Sequence, residues 1–351
     1  MTIVICALLF VIVIALAISL GRGGSYYTKE ATCKEITTAN SFKYCMEHPA
    51  LEGIGQYVLP WENGIVTKVV PPLSLRYMCM CLGYDAQTVA DGINFLIDMS
   101  QQEKLFAYDY YTAEETAQNT HLETTKLFYV PGESGAPFAM VIAGGGFTSV
   151  CMMQEAFPVA QKLHGHGYHV FMLKYRVGDR PKDQHGTEKR ERAYTDLGRA
   201  MKYIFDNATQ WDMTLENYSV WGFSAGARMT LVWTTSEEFG YQAYSLPKPA
   251  MQAPVYTMPE NISIGEHIPA TFMVMGTKDE FFGENGCTAC DVFCDALIKA
   301  GIPAVFEKYE GVKHGFGLGV GTAAEGWLNR AVDLWEEVIN ESDQPKNRIF
   351  A

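Results

Sequence analysis

From about residue 122 onward, short apolar runs alternate with longer stretches in which apolar residues recur at helical spacing. The apolar runs predict strands at 126–130, 138–143, 168–175, 218–221, 250–255, 270–275 and 304–309. Helices are predicted near 154–164, 188–207, 225–235, 289–300 and 327–340. Continuously apolar strands separated by helices are typical of a mostly parallel sheet with helices on both faces. We therefore predict an α/β fold whose ligands collect at the carboxyl ends of the strands.

The residues before this region follow a different pattern. Residues 21–121 lack the alternation and predict an extension with loops around its prolines and one helix near 85–104. Two roles stay open for this extension, a lid or flank of the site and a structural strap that covers core surface. The main domain is expected to span 122–341, and 342–351 is expected to form a C-terminal tail.

The amino terminus carries a long apolar run. Between Thr2 and Leu20 there is no Asp, Glu, Lys, Arg or His, and this length suffices for one membrane-spanning helix. Residues 1–20 are predicted to be a retained transmembrane anchor, because the basic residues that open a cleavable signal peptide are missing. The alternative is a secreted chain cleaved near Ala15-Leu16-Ala17. Basic residues follow the run and favour a cytoplasmic body, but the side of the membrane stays open.

Composition and charge exclude some classes of protein, and the cysteine spacing bears on whether the chain holds a metal site. The 351 residues are 48% apolar and 19% charged, which suits a large folded core and excludes a disordered chain. Lys and Arg number 27 against 40 Asp and Glu, and the net charge of −13 argues against a nucleic-acid partner. Cys287, Cys290 and Cys294 recur at helical spacing with no fourth ligand nearby in the sequence, so we predict small buried side chains and no metal site.

Polar residues around the predicted strand 168–175 each have two interpretations. His164, His166 and His169 suggest a metal cluster, but the glycines between them are typical of a helix end before a strand, so solvated histidines are predicted. Arg176 closes the strand and either approaches the site or pairs structurally with a carboxylate.

The segment Gly222-Phe223-Ser224-Ala225-Gly226 lies between the predicted strand 218–221 and the predicted helix 225–235. In this strand–turn–helix context, G-x-S-x-G is the motif of a nucleophile elbow. Its glycines allow a very tight turn, and the turn holds the serine in a strained conformation with its hydroxyl exposed. The alternative is an ordinary serine N-cap, which needs no flanking glycines.

Two later loops supply partners for Ser224. Asp279 follows the strand 270–275, with Glu280 beside it as a rival acid, and His314 follows the strand 304–309. The chain order serine, aspartate, histidine is the order that this architecture uses. We predict that His314 takes the proton of Ser224 and that Asp279 orients the imidazole and stabilises its charged form.

A run of glycines, 144–146, ends the predicted strand 138–143. Such a run presents backbone N–H groups without side-chain cover, so Gly145 or Gly146, together with the N–H of Ala225, is predicted to form an oxyanion hole. A merely flexible turn is the alternative. The chemistry needs no metal and no organic cofactor.

Over residues 122–341 the chain resembles the α/β-hydrolase superfamily. The segments GGGF, GFSAGA, GTKD and KHGF are similar to its esterase/lipase branch, which includes acetyl-xylan-type and feruloyl-type carbohydrate esterases. Many members carry histidine before the triple glycine, where this chain has Ala143. The resemblance implies an α/β-hydrolase fold and a serine esterase for small acyl esters, with acetylated plant polysaccharide as a candidate substrate. Such hydrolases commonly act on extracellular polymers.

Two other functions stay open. A serine oligopeptidase or aminoacyl hydrolase shares the triad order and the fold, although no propeller is recognisable before the core. A membrane-tethered binding protein with a silent hydrolase fold is the second alternative. A complete set of serine, aspartate and histidine at loop positions argues against it, because packing requires none of the three there.

Overall fold

The structure, a computed structural model, describes residues 35–61, 66–178 and 187–342. Its strands are β1 (Phe106–Tyr108), β2 (Lys126–Val130), β3 (Pro137–Ile142), β4 (His169–Lys174), β5 (Thr214–Phe223), β6 (Met251–Val255), β7 (Ala270–Gly276) and β8 (Ala304–Tyr309). They form one eight-stranded sheet in the order β1-β2-β4-β3-β5-β6-β7-β8. β2 is antiparallel to both of its neighbours, and all pairs from β4 to β8 are parallel.

The α-helices of the described residues are α1 (Phe42–Met46), α2 (Val66–Val69), α3 (Leu75–Leu82), α4 (Ala86–Gln101), α5 (Ala113–Gln118), α6 (Phe157–Gly165), α7 (Thr187–Asp206), α8 (Ala225–Thr235), α9 (Gly283–Lys299) and α10 (Trp327–Ser342). Short 3₁₀ turns lie at Pro49–Leu51, Gly55–Val58, Thr120–Thr124, Ala208–Gln210 and Tyr241–Tyr244. A π-helical turn, Met152–Ala156, leads directly into α6.

Both faces of the sheet are covered. β4, β6 and β7 are buried at every position, which requires neighbours above and below because successive side chains point to opposite faces. Together with the parallel pairing of β4 to β8, this burial confirms the predicted mostly parallel sheet with both faces covered. The predicted order of strands and helices along the main domain is confirmed as well.

The structure corrects the sequence-based elements in several places. The extension was predicted to hold one helix, but its described residues contain α1 to α5, most of them too short to show a clear helical pattern in the sequence. β1 was not predicted, because a three-residue edge strand with two exposed positions carries almost no pattern. The helix predicted near 154–164 is instead a π-helical turn followed by α6. Pro158 stands in the first turn of α6, where its missing N–H is tolerated, but it prevents one regular helix from running through the whole segment.

The described part of the extension packs on the sheet domain and shares its hydrophobic core. Gly92 of α4 lies against Pro158 of α6, so closely that a Cβ there would come within 2.9 Å of the proline ring. The Tyr111 hydroxyl donates to Asp196 on α7 at 2.5 Å, and Asp196 also binds the Arg176 guanidinium at 2.6 Å. Of its two predicted roles, Arg176 therefore has the structural one, pairing with a carboxylate. The boundaries of the domains remain predictions.

The predicted membrane-spanning run falls outside the described residues and stays a prediction. Within the residues that the structure describes, no helix has the length and apolarity needed to cross a bilayer.

The cysteine and histidine predictions have different outcomes. Cys287, Cys290 and Cys294 are buried free thiols on α9, as predicted, and burial raises the pKa of Cys294 to about 12. In the described ranges, no group of three or more His, Cys, Asp or Glu side chains is placed to hold a metal ion. The prediction of solvated histidines is wrong for His169, which is buried. Its ring can be buried because both of its nitrogens have partners, the Tyr129 hydroxyl and the carbonyl of Glu133, each at 2.8 Å.

Candidate active site

Ser224 occupies the turn between β5 and α8. Its backbone has φ 50° and ψ −111°, a conformation that L-residues rarely adopt and that marks a strained position. The turn is tight, because a Cβ on Gly226 would lie 2.0 Å from the carbonyl oxygen of Ile142. The Ser224 side chain makes no N-cap hydrogen bond to α8, so the N-cap alternative does not hold.

The Ser224 hydroxyl meets His314 instead. Its Oγ lies 2.8 Å from His314 Nε2, and His314 Nδ1 lies 2.6 Å from Asp279 Oδ2. The Asp279 side chain is fully buried, whereas the His314 side chain is 13% exposed. With Nδ1–H donating to the carboxylate, Nε2 is free to accept the Ser224 proton. Three loops that are far apart in the sequence are thereby joined in one hydrogen-bonded chain.

The two adjacent acids have separate partners. The second carboxylate oxygen of Asp279 accepts the backbone N–H groups of Phe281 and Phe282, both at 2.9 Å, which fixes its orientation. Glu280 accepts the backbone N–H of His314 at 3.1 Å and does not bond the imidazole. Asp279 is therefore the acid that can orient the imidazole, while Glu280 ties the two loops together.

Aromatic rings surround the imidazole of His314. Tyr256 and Phe281 stand edge-on to it, with ring centroids 4.9 and 4.7 Å away. Tyr256 is buried on the inner side, whereas Phe281 is 67% exposed at the mouth of the site. The imidazole is therefore partly shielded from water and reaches solvent beside an exposed ring.

The glycine run lies directly against the serine. A Cβ on Gly144 would come within 2.8 Å of Ser224 Cβ. Gly145 has φ 124°, and a Cβ on it would lie 2.1 Å from the Ser149 carbonyl oxygen, so only glycine fits. In the described residues, the N–H groups of Gly145, Gly146 and Ala225 donate to no protein acceptor. They are therefore available to a ligand oxygen.

Two buried residues that sequence reasoning missed complete the inner wall. Glu155 accepts the Gly144 N–H at 2.5 Å with one oxygen and the Tyr256 hydroxyl at 2.6 Å with the other. Burial raises the pKa of Glu155, while these two hydrogen bonds and the nearby His314 act in the opposite direction. A signal was present in the sequence, since Glu155 is the single acidic residue in the apolar stretch 150–163.

The raised pKa of Glu155 predicts how stability depends on pH. Between the ordinary glutamate pKa, about 4.3, and the raised folded value, the folded state holds a proton that the unfolded state has lost. The contribution of this group to the free energy of unfolding is therefore present in acid and is lost as the pH rises through the folded-state pKa. We expect the unfolding temperature of Glu155→Gln minus that of wild type to increase with pH in calorimetric scans. The surface change Glu114→Gln is the control, and an equal, constant difference for both variants would contradict the assignment.

A cleft of about 450 Å³ opens beside His314. Its wall combines apolar and polar side chains. The turn between α3 and α4 lies on one side of the cleft, and the loop that carries His314 lies on the other. The lining includes Tyr84, Thr88, Gln154, His314, Phe316 and Val320. The volume lies in the range of small-molecule sites, and the extension contributes one side of it.

Comparison with known proteins agrees with this architecture. The BD-FAE family model matches residues 128–254, and none of the curated proteins matches the chain. Thermogutta terrifontis esterase 2, in a structure phosphorylated by paraoxon, is 17% identical with a TM-score of 0.51 over 69% of this chain and 96% of that one. Its butyrate-bound structure is 14% identical with a TM-score of 0.52, covering 68% and 95%. A sugar hydrolase from Lactococcus lactis is 19% identical with a TM-score of 0.52, covering 62% and 96%.

The structural similarities establish the fold, and the family-model match covers β2 to β6, including the elbow. The resemblance predicted from the GGGF and GFSAGA segments is thus confirmed at the level of the superfamily. The chain has the α/β-hydrolase fold, and its residues 128–254 match the BD-FAE family model.

Proposed function

We propose that this protein is a serine carboxylic-ester hydrolase that works through an acyl-enzyme. The observation that carries the proposal is the hydrogen-bonded chain from Ser224 Oγ through His314 to Asp279, 2.8 and 2.6 Å in its two steps. Free backbone donors lie next to the same serine. This arrangement supplies a nucleophile, a base with a fixed tautomer and a site for a negatively charged oxygen.

In the first half-reaction, Ser224 Oγ attacks the ester carbonyl carbon as His314 Nε2 removes its proton. The carbonyl oxygen becomes an oxyanion and accepts hydrogen bonds from the N–H groups of Ala225 and of Gly145 or Gly146. Asp279 stabilises the imidazolium that forms. Collapse of the tetrahedral intermediate breaks the bond to the alcohol oxygen, which takes the proton from His314 and leaves.

In the second half-reaction, water replaces the alcohol. His314 removes a proton from the water as it attacks the acyl carbon, and the same backbone groups stabilise the second oxyanion. The bond to Ser224 Oγ then breaks, the serine regains its proton and the carboxylic acid departs. No step requires a metal or an organic cofactor.

For the substrate we propose small acyl esters, with acetylated carbohydrate as the natural class. The resemblance of the sequence segments to carbohydrate esterases supports this choice. The open cleft beside His314 offers room for an alcohol larger than the acyl group. Phe281, exposed beside the imidazole, offers a flat face to a ring-shaped alcohol.

The proposal is tested with a panel that pairs esters with amides. The 351-residue chain is assayed on p-nitrophenyl acetate and butyrate, acetylated xylo-oligosaccharides and peptide p-nitroanilides. We expect acetate esters to be hydrolysed fastest, with measurable release of acetate from the oligosaccharide. Faster amide cleavage would instead assign a peptidase or aminoacyl hydrolase.

Covalent labelling separates an active hydrolase from a silent one. A fluorophosphonate probe is expected to modify Ser224, and peptide mapping by mass spectrometry identifies the site. Paraoxon is a second probe, because it phosphorylates the structurally similar esterase 2 of Thermogutta terrifontis. A folded chain that resists both probes and hydrolyses no ester would be a binding protein with an inactive hydrolase fold.

Phe281→Ala is predicted to weaken the binding of esters whose alcohol is a ring. Its ring is exposed and adjacent to His314, and an aromatic contact contributes about 0.5–1.5 kcal/mol, so KM for p-nitrophenyl acetate should rise roughly twofold to tenfold. Ethyl acetate, which has no ring, should change by less than about twofold. Equal changes in KM for the two esters would show that Phe281 does not contact the alcohol.

A further inference from the structure

The loop that carries the predicted oxyanion donors is held at its first residue by a buried pair. Gly144 donates its N–H to Glu155 at 2.5 Å, and the other oxygen of this carboxyl group accepts the Tyr256 hydroxyl at 2.6 Å. Glu155 is 3% exposed, and Tyr256 is fully buried. A carboxyl group this deep in the protein is retained only where its hydrogen bonds are satisfied, and both of its oxygens have a partner.

Carbonyl groups of the same loop are anchored separately. The Tyr175 hydroxyl donates to the carbonyl of Ala143 at 3.0 Å and lies 3.3 Å from that of Gly144. The Ser149 backbone N–H donates to the carbonyl of Gly145 at 3.1 Å. Ala143 has no polar side chain, so the hydrogen bonds that fix the start of the loop come from residues elsewhere in the chain. Glu155 supplies the one that holds an N–H group.

Tyr256 links this pair to the base of the site. Its backbone φ is 41°, a strained value for a bulky residue, and its N–H donates to the Val274 carbonyl at 2.9 Å. Its ring stands edge-on to His314, with centroids 4.9 Å apart. The same tyrosine therefore touches the imidazole with its ring and the carboxyl of Glu155 with its hydroxyl.

We propose that Glu155 and Tyr256 are positioning residues that set the orientation of the oxyanion loop. Gly144 lies against Ser224, and glycines leave the backbone of residues 144–146 free to rotate unless a partner fixes it. Holding the Gly144 N–H fixes the start of the loop, so that the following N–H groups stay aimed at the ester oxygen. The inference rests on the proposed ester hydrolysis, and neither residue touches substrate.

The pair is tested with Glu155→Ala and Glu155→Gln. Alanine removes the acceptor. Glutamine restores it, since its carbonyl accepts the Gly144 N–H and its amide N–H donates to a reversed Tyr256 hydroxyl. Loss of one oxyanion donor lowers kcat by about 10²–10³-fold, so we expect about 10²-fold for alanine and less than about fivefold for glutamine. KM for p-nitrophenyl acetate should stay within about threefold, because the loop acts in the transition state.

Binding of a transition-state analogue distinguishes positioning from a general structural role. A methyl trifluoromethyl ketone forms a tetrahedral adduct with the serine, and its inhibition constant should rise in proportion to the loss of kcat. Fluorophosphonate titration counts the active sites, so misfolded protein does not enter kcat. A fall in kcat without weaker ketone binding would overturn the proposal, and so would alanine and glutamine variants of equal activity.

A milder pair of variants covers the case in which Glu155→Ala fails to fold. Tyr256→Phe removes only the hydroxyl and should raise the ketone inhibition constant about threefold to tenfold. Tyr168→Phe is the matched control, because its hydroxyl also donates to a glutamate, Glu336, at 3.1 Å. Equal effects of the two variants would overturn the proposal. If the wild-type protein hydrolyses no ester, the proposed function itself fails. If the wild type is active and the Glu155 and Tyr256 variants are equally active, only the positioning role fails.

Discussion

Replacing Ser224 by alanine is expected to lower kcat for p-nitrophenyl acetate by about 10⁵–10⁶-fold. The Ser224 hydroxyl has a base at hydrogen-bonding distance, since its Oγ lies 2.8 Å from His314 Nε2. Without it no acyl-enzyme forms, and only slow attack by water is left. Steady-state rates of the purified variant, compared with the uncatalysed rate in the same buffer, measure the loss.

Ser236→Ala is the matched control for this change. Ser236 is the residue that follows α8, and its hydroxyl oxygen accepts the backbone N–H groups of Glu238 and Phe239. This variant should keep full activity and full fluorophosphonate labelling, whereas Ser224→Ala should lose both. A Ser224→Ala protein with more than about a tenth of wild-type kcat would assign the nucleophile to another residue.

Asp279→Asn is expected to lower kcat by about 10⁴-fold while leaving the fold intact. The carboxylate accepts His314 Nδ1–H at 2.6 Å and so keeps Nε2 unprotonated and facing Ser224. An asparagine that presents its amide N–H to Nδ1 favours the opposite tautomer, in which Nε2 carries the proton and cannot accept one. Active-site titration followed by measurement of kcat on p-nitrophenyl acetate tests the effect.

The adjacent acid provides a control of the same chemistry. Glu280→Gln keeps an oxygen that can accept the His314 backbone N–H, which Glu280 binds at 3.1 Å, so kcat should stay within about threefold of wild type. Comparable losses for Asp279→Asn and Glu280→Gln would show that the imidazole is not oriented by Asp279 alone. A loss confined to Glu280→Gln would reverse the two assignments.

Local pattern was sufficient for much of the fold. The predicted bounds of β2, β8 and α8 match the structure. In each case the apolar or helical pattern stops clearly at both ends of the element. Other boundaries moved by a few residues, and β5 extends from Thr214 to Phe223, well beyond the predicted core of the strand. The extension was less predictable, although α3 has clear sequence signals, a serine N-cap at Ser74 and Gly83 in the left-handed conformation at its end.

The candidate site was predictable only where a motif recurs with its local context. The elbow (222–226) and the glycine run (144–146) are each a short unbroken segment, so the backbone requirements of each are visible in the sequence. The choice between Asp279 and Glu280 was harder, because the two acids are adjacent on the loop after β7. Only the packed loops show which carboxylate contacts the imidazole. His169 illustrates the opposite error, since its burial depends on a tyrosine from the neighbouring strand.

The sequence by itself determined the alternation of strands and helices and the strand–turn–helix position of the G-x-S-x-G segment, because these follow from periodicity and from local backbone demands. Tertiary structure alone brought Ser224, His314 and Asp279 together from loops 35 and 90 residues apart. It also placed Glu155 under the glycine loop, and no spacing along the chain specifies that contact. Hydrogen bonds between distant segments depend on the packing of the whole sheet and are therefore decided only when the chain has folded.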